Sequence, residues 1–394
     1  MDIAARESRY FFKTYNRLRL DIERGEGVHL FTKQGERYLD MFAGIAVNAL
    51  GYNHPRVNSA IERQLKRYIH VSNTFYQDTQ IELAERLIKL TGFARIFFTN
   101  SGTEALEGAL KLARRWGRDA RKTAIYGLTD SFHGRTLGSL SVSGRGKYRD
   151  GYEPFLPNTD LLAFNDVEEL RQKVDQQTLA VVLEFVQGEG GVNLVSREYV
   201  LELARLREKY GFLIIADEIQ TGVGRTGRFF AFDYFDIRPD IVVIAKALGG
   251  GLPLGAFMGE EKLSDVFTPG VHGSTFGGNP VACAAGIATL TELIDNGVMQ
   301  NAEKMGGYLK GQLEMIRTSY PKYVADLRGL GLMIGVDLLV DGTKVVESLF
   351  EEKVLLNLTN NRTLRWLPPL IIRPEHVDYA VSRFEKVLRK IGTQ

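Results

Sequence analysis

With 394 residues, 44% hydrophobic and 25% charged, the chain is long enough for two domains and has the composition of an ordinary globular protein. Fifty basic side chains against 48 acidic ones give a net charge of +2 with no basic block, so no nucleic-acid partner is expected. The lone Cys283 excludes an internal disulfide and a cysteine-cluster metal site, the six histidines lack His-Glu-x-x-His spacing, and no apolar stretch approaches the roughly 20 residues of a membrane helix, so neither metal nor membrane is expected.

Charged residues stud positions 1–27 and leave no apolar targeting core, which points to the cytoplasm. This region reads as a short amphipathic helix, followed by two antiparallel strands at 28–32 and 37–41 around the turn Lys33-Gln34-Gly35. From Pro55 to Val266 apolar strand candidates at 94–99, 123–126, 179–185, 212–216, 241–245 and 254–258 alternate with helical stretches such as 103–116 and 196–210. Near-continuous apolar strands separated by helices predict a mostly parallel sheet covered on both faces. Pro280 opens a helix through 293, with Cys283 on a small-residue face suited to close packing. Strands follow at 331–338, 354–358 and 363–367, and a last helix carries Val377, Val381, Phe384, Leu388 and Ile391 at helical spacing. The expected fold is α/β: a large domain over 55–294, and a smaller discontinuous α+β domain made of 1–54 and 295–394.

Two strand ends carry the most chemistry. Lys246 closes the run 241–245 and enters Ala247-Leu248-Gly249-Gly250-Gly251. A lysine ending a buried strand loses hydration, which favours the neutral, nucleophilic amine that Schiff-base chemistry needs. Alternatively it snorkels to solvent. Asp217 closes 212–216, where open α/β sheets bind ligands. A carboxylate there would keep a pyridine nitrogen protonated, as pyridoxal phosphate requires to take up electrons; otherwise it is a solvated loop acid. An acid after one strand and a lysine after a later one favour the cofactor reading of both.

The remaining constellations have two readings each. Asn100-Ser101-Gly102-Thr103 joins a strand to a helix, as a phosphate site or as a plain cap. Phe132-His133-Gly134-Arg135 offers an aromatic face and a carboxylate clamp, or a core ring beside a surface arginine. Glu189, among glycines after 179–185, is a mobile carboxylate or a turn acid. Gly273-Ser274-Thr275 binds phosphate or simply connects. Gly222-Val223-Gly224-Arg225-Thr226-Gly227 matches a dinucleotide fingerprint literally, but the aromatic stretch after it shows no helix start, so nicotinamide binding is not expected.

In this order, these stretches resemble the class III aminotransferases of pyridoxal-phosphate fold type I over nearly the whole chain. The most specific blocks are 216–222 and 245–251. Within that class, 44–51, 72–76, 356–359 and 364–370 are most similar to the acetylornithine aminotransferases. The resemblance implies that Lys246 binds the cofactor and shuttles a proton, and that Asp217 pairs with the ring nitrogen. By the same likeness Glu218 and Gln220 lie against the cofactor, Gln220 towards the ring hydroxyl, while Phe132 and Ile219 cover its faces. Gly102 and Thr103 would bind its phosphate, and Thr275 would reach the phosphate of a neighbouring subunit in a homodimer with shared sites. Arg135 would hold the donor's α-carboxylate with Ser274 nearby. Arg365 would hold 2-oxoglutarate, with Glu189 pairing Arg365 when that anion is absent. Leu106 and Phe185 stand where the family often has Asn and Pro. The implied reaction moves the δ-amino group of N-acetylornithine to 2-oxoglutarate. Ornithine, succinylornithine, succinyldiaminopimelate, 4-aminobutyrate or a carrier-linked lysine are alternative donors, and an aminomutase of the same fold is a remoter alternative.

Overall fold

The structure, a computed structural model, describes residues 3–392. The first helix, Ile3–Tyr10, buries none of its side chains, and Tyr10, Phe11, Phe12 and Tyr15 stand exposed. Strands β1 (Ile22–Glu26), β2 (His29–Thr32) and β3 (Arg37–Asp40) follow as an antiparallel meander. The β2–β3 turn falls where expected, with Gly35 at φ +82° and its N–H donated to the Thr32 carbonyl. Alternation does not mark β1, because Ile22-Glu23-Arg24-Gly25-Glu26 has one apolar residue in five.

The middle of the chain supplies β4 (Arg95–Thr99), β5 (Ala124–Leu128), β6 (Thr159–Leu162) and β7 (Thr178–Leu183). A short hairpin of β8 (Val186–Gln187) and β9 (Asn193–Leu194) precedes β10 (Leu213–Asp217), β11 (Ile241–Ile244) and β12 (Gly255–Gly259). Seven of these, among the described residues, form one sheet in the order β4-β12-β11-β10-β7-β5-β6. Only β12 runs against its neighbours. Successive residues of β10 and β11 enter two different cores: Leu213, Ile215, Ile241 and Val243 join one, and Ile214, Ala216, Val242 and Ile244 the other. The helix Gly102–Trp116 covers the first face and helices such as Asp78–Thr91 and Arg197–Tyr210 the second. Burial on both faces is why these strands read as unbroken apolar runs.

The helix Pro280–Leu290 is buried almost all round, including Cys283, whose thiol pKa burial pushes up to about 12. After the helix Val298–Ser319 come β13 (Val324–Leu330), β14 (Met333–Leu338), the helix Gly342–Glu351, β15 (Val354–Leu355), β16 (Asn357–Thr359) and β17 (Thr363–Trp366). A second sheet has the order β13-β14-β17-β16. The single strand expected over 354–358 is divided. β15 pairs parallel with β3, while β16 pairs antiparallel with β17, and the buried Leu356 marks the hand-over between the two sheets. Through β15 the N-terminal meander and the C-terminal segment share backbone hydrogen bonds, such as Leu39 N–H to the Lys353 carbonyl and Met41 N–H to the Leu355 carbonyl. The last helix, Pro374–Gly392, buries Val377, Val381, Phe384 and Leu388 as its spacing predicts.

The glycine fingerprint lookalike is a run of turns, followed by a 3₁₀ turn, Ala231–Tyr234. Its Arg225 is buried and donates to the carbonyls of Leu332 and Pro368, tying this loop to the C-terminal segment.

Two glycines test this packing with opposite signs. A Cβ on Gly127 in β5 would lie 1.8 Å from the Val142 carbonyl oxygen, whereas one on the exposed, helical Gly307 meets nothing within 4 Å. Gly127→Ala should destabilise by about 1–3 kcal/mol or more, and Gly307→Ala should stabilise by roughly 0.5–1 kcal/mol, both read from urea unfolding midpoints.

Candidate active site

Parallel strands send their carboxyl ends to one edge. β10 pairs with β11 so that Asp217 lies opposite Val243, three residues before Lys246. The loops after β4 and β5 open onto the same edge and enclose a cleft of about 440 Å³, lined by Asn100–Thr103 and Phe132–Arg135 with Glu184, Asp217, Ile219, Gln220 and Lys246. Larger depressions lie beneath the N-terminal arm and between helices Pro55–Leu65 and Pro280–Leu290. Neither gathers the buried ionisable groups found here, so size does not select the site.

Lys246 leaves β11 at φ +47°, in the left-handed region, and opens a 3₁₀ turn. Burial, reinforced by the positive charge of Arg365, lowers its pKa to about 8. Asp217 is buried at the end of β10: Oδ1 accepts the Ile219 N–H at 3.0 Å, and Oδ2 lies 2.7 Å from His133 Nδ1. His133 is itself buried. Burial alone would lower its pKa, but the hydrogen bond and charge of Asp217, with Glu184, raise it. Its Nε2 has no hydrogen-bond partner among the described residues. Glu184 accepts the N–H groups of Phe132 and Gly188; burial and the charge of Asp217 raise its pKa to about 7.

Ser101 caps the helix Gly102–Trp116, accepting the Glu104 N–H. The first N–H groups of the helix therefore face the cleft mouth at the positive end of its dipole. The Thr103 hydroxyl lies 2.9 Å from that of Thr136 and 2.7 Å from that of Ser139, and Glu107 accepts from Thr136 and the Ser139 N–H. Ile219 packs so tightly over Gly102 that a Cβ there would come within 2.7 Å of its Cδ1. Phe132 forms another wall, edge-on to Tyr148 at 5.6 Å. Arg135 is exposed and lies over the same Tyr148 ring at 3.8 Å.

Arg365 is almost wholly buried in β17. Its Nη1 donates to Glu189 Oε1 at 2.7 Å and to Gln220 Oε1 at 3.0 Å. Burial would raise the Glu189 pKa, but the charge and hydrogen bond of Arg365 hold it below the ordinary carboxylate range. Glu189 sits in the β8–β9 hairpin, where Gly191 adopts φ +117°.

Glu189 and Arg365 lie behind the cleft wall and reach it through Gln220, and three further expected residues also stand apart from it. Glu218 is turned away: its carboxylate takes the Thr221 hydroxyl and the N–H groups of Ala231 and Phe232. Burial raises its pKa to about 8. It fixes the following loop and offers no surface to a ligand in the cleft, because successive residues at a strand end point to opposite sides. Ser274 reaches the site through Asn100, whose Nδ2 lies 3.3 Å from its Oγ. Thr275 is exposed on that rim.

The sequence reading passed over four contributors. His133 lay unmarked between Phe132 and Arg135. Glu184 was visible as the one acid in the apolar run 179–185. Glu107 and Tyr148 gave no signal, because their partners are distant in sequence. A backbone feature was also unmarked: Ala43, Gly44, Ile45 and Ala46 all have φ between +48° and +65°. Left-handed geometry costs about 1–2 kcal/mol per non-glycine residue. Asp40 stabilises the turn by accepting the Phe42 and Ala43 N–H groups and the Tyr52 hydroxyl, and the turn brings Val47 to the cleft.

A strand-end lysine with a lowered pKa, a buried carboxylate held by imidazole, two apolar walls and a helix N-terminus fit pyridoxal phosphate, and define an enzyme of its fold type I. The chain belongs to the class-III aminotransferase family, whose model matches residues 10–388. It is 42% identical over 385 residues to the acetylornithine aminotransferase of Clostridium acetobutylicum, covering 96% of this chain and 99% of that one. It is 43% identical to the acetylornithine aminotransferase of Archaeoglobus fulgidus, covering 97% and 99%. Among solved structures it is similar to the ornithine aminotransferase of Toxoplasma gondii, with TM-score 0.95 and 32% identity, covering 99% and 95%.

Only the neutral amine of Lys246 attacks an aldehyde, so the lowered pKa has a direct kinetic reading. On mixing cofactor-free protein with pyridoxal phosphate, the loading rate followed by visible absorbance should rise with pH and level off near 8. A rate still climbing towards the ordinary 10.5 would show that Lys246 is not desolvated.

Proposed function

We propose that this protein transfers the δ-amino group of N-acetylornithine to 2-oxoglutarate, forming N-acetylglutamate 5-semialdehyde and glutamate in the arginine-synthetic route of the cytoplasm. The observation that carries the reading is the Arg365–Glu189 pair beside Lys246. One cleft must accept, in turn, a donor that presents only an amine at the reacting end and an acceptor that presents a carboxylate there. With Glu189 on Arg365 the buried charge is neutralised, and the amine enters without a counter-ion. When 2-oxoglutarate arrives, its α-carboxylate takes the guanidinium and Glu189 moves away on its glycine-flanked hairpin. The names of the relatives favour an acetylated donor, and those of the solved neighbours keep free ornithine as the competing one.

Pyridoxal phosphate, when bound, supplies the electron-accepting ring and aldehyde. Lys246 holds it and then moves the proton at the reacting carbon, Asp217 carries the negative charge facing the ring nitrogen, and His133 fixes that carboxylate. Phe132 and Ile219 exclude water from the faces, while Gly102 and Thr103 bind the phosphate. Gln220 holds Arg365 in register and reaches the ring hydroxyl, and Arg135 holds the donor's α-carboxylate next to Ser274. Thr275 completes the phosphate site of a second copy, so the working form is a homodimer. The uncovered N-terminal aromatics and the exposed Phe75, Tyr76 and Phe276 support that assembly.

Lys246→Ala should abolish turnover; normal transamination by that variant would reassign the nucleophile. Arg365→Ala should lower kcat/KM for 2-oxoglutarate by about 10²–10³, the effect of losing a buried charge-assisted pair, with a much smaller loss in the donor half-reaction. In single turnovers without keto acid, N-acetylornithine should discharge the cofactor absorbance faster than ornithine; the reverse order would discard the proposed donor.

A further inference from the structure

The movement of Glu189 assigned above needs a destination. On leaving Arg365 a buried carboxylate must find water or another cation, because an unpaired buried charge is costly. The hairpin lies against such a cation. Arg145 is 7% exposed, its Nη1 donates to the Glu189 carbonyl, and no carboxylate pairs with it among the described residues. The Thr359 hydroxyl donates to the same carbonyl, so the backbone of Glu189 is held from two sides. With that carbonyl held, the carboxylate departs by turning between staggered rotamers of its own side chain, and the flanking Gly188 and Gly190 put no side chain in its way. A guanidinium has five N–H donors. Arg145 commits Nη1 to the carbonyl, and its other nitrogens make no hydrogen bond among the described residues. They lie next to the residue whose carboxylate must move. Against burial, which would raise the Glu189 pKa, Arg365 lowers it, and the charges of Lys246 and Arg145 add to that effect.

The count of charges favours the same destination. Arg365 is 1% exposed, so two buried guanidiniums share one carboxylate while the keto acid is absent. The α-carboxylate of 2-oxoglutarate brings a second anion. We propose that Arg145 is the second berth of Glu189: its carboxylate turns from Arg365 to Arg145 as the keto acid takes Arg365, and each guanidinium then has its own counter-ion. In this role Arg145 touches neither substrate nor cofactor. It is a positioning residue that eases the admission of the acceptor. The amine donor leaves Glu189 on Arg365 and makes no call on Arg145. This rests on the reading of Arg365 as the keto-acid holder with Glu189 as its alternate partner.

The test compares the two half-reactions on the cofactor-loaded wild type, Arg145→Gln and Arg145→Lys, each also combined with Glu189→Gln. Glutamine at 145 keeps an N–H donor for the carbonyl and removes the charge. Arg145→Gln should lower kcat/KM for 2-oxoglutarate by about 10- to 100-fold, the range for a charge-assisted hydrogen bond, chiefly through KM. It should leave kcat/KM for the better of N-acetylornithine and ornithine within about twofold. Arg145→Lys should keep most of the acceptor activity. In the Glu189→Gln background the effect of Arg145→Gln should vanish, because no charge is left to berth. Crystals of the loaded wild type soaked with 2-oxoglutarate, which has no amine to react with that form, should place the Glu189 carboxylate within about 3.5 Å of the Arg145 guanidinium. A Glu189 side chain that stays on Arg365 or turns to solvent would overturn the proposal. Equal losses on donor and acceptor, or an undiminished Arg145→Gln effect in the Glu189→Gln background, would reduce Arg145 to a support for the hairpin. Glu189→Gln alone separates these failures from a failure of the underlying reading. It should weaken the donor half-reaction more than the acceptor one; if it does not separate the two, Glu189 is no alternate partner of Arg365 and the berth falls with it.

Discussion

The parallel pairing of β10 with β11 is the constraint on which the cleft depends. It fixes an acid and an amine at one sheet edge, Asp217 lying opposite Val243, three residues before Lys246. Asp217 is buried at the end of one strand, Lys246 follows the next, and their partners differ. Asp217 has an imidazole at 2.7 Å and a backbone donor at 3.0 Å, while burial and the charge of Arg365 work against the ammonium form of Lys246. A slip of one residue in either strand would turn that strand's group to the opposite face, since side chains alternate. The packing of branched residues from β10 and β11 into two separate cores resists such a slip, so the apolar runs serve the chemistry by fixing its register.

Around this pair the charges form a chain. Glu184 accepts the Phe132 and Gly188 N–H groups, and so ties the aromatic wall to the start of the loop that carries Glu189. Glu189 pairs with Arg365, and Gln220 bridges Arg365 back to the strand end that holds Asp217. Moving Glu189 therefore disturbs a hairpin anchored at one end by a buried acid. The cost of exposing Arg365 is set by that anchoring together with the lost ion pair. The buried guanidinium of Arg365 thus has Glu189 as its counter-ion, and removing that partner would leave an uncompensated buried charge.

Much of this was legible in the sequence because it depends on local placement. Lys246 and Asp217 end apolar runs, and glycines and hydroxyls punctuate the strand-to-helix turns. What escaped depends on contacts between distant segments. His133 supports Asp217 across 84 residues, and Glu107 meets Thr136 across 29. The division of 354–358 into two strands is invisible to periodicity, because both halves are apolar and only the partners differ. Glu218 shares a motif with Asp217, but the side-chain alternation at a strand end sends its carboxylate to Ala231 and Phe232, a placement that the motif does not display.

The left-handed turn at 43–46 shows how the smaller part of the structure acts on the larger. The turn is held by Asp40, the last residue of β3 and paired with Leu355 of β15, and Asp40 in turn feels the buried charge of Arg225. Arg225 donates to the carbonyls of Leu332 and Pro368, from the segments flanking β14 and β17. β17 also carries Arg365. The elements that deliver Val47 to the cleft and Arg365 to its lining residue Gln220 are thus fastened to each other. Left-handed backbone at Ala43, Ile45 and Ala46 is unfavourable on its own and persists only where its surroundings over-determine it. Its cost is offset here by the hydrogen bonds that Asp40 accepts from Phe42, Ala43 and Tyr52, so the smaller part of the structure uses its polar contacts to hold the turn that brings Val47 to the cleft.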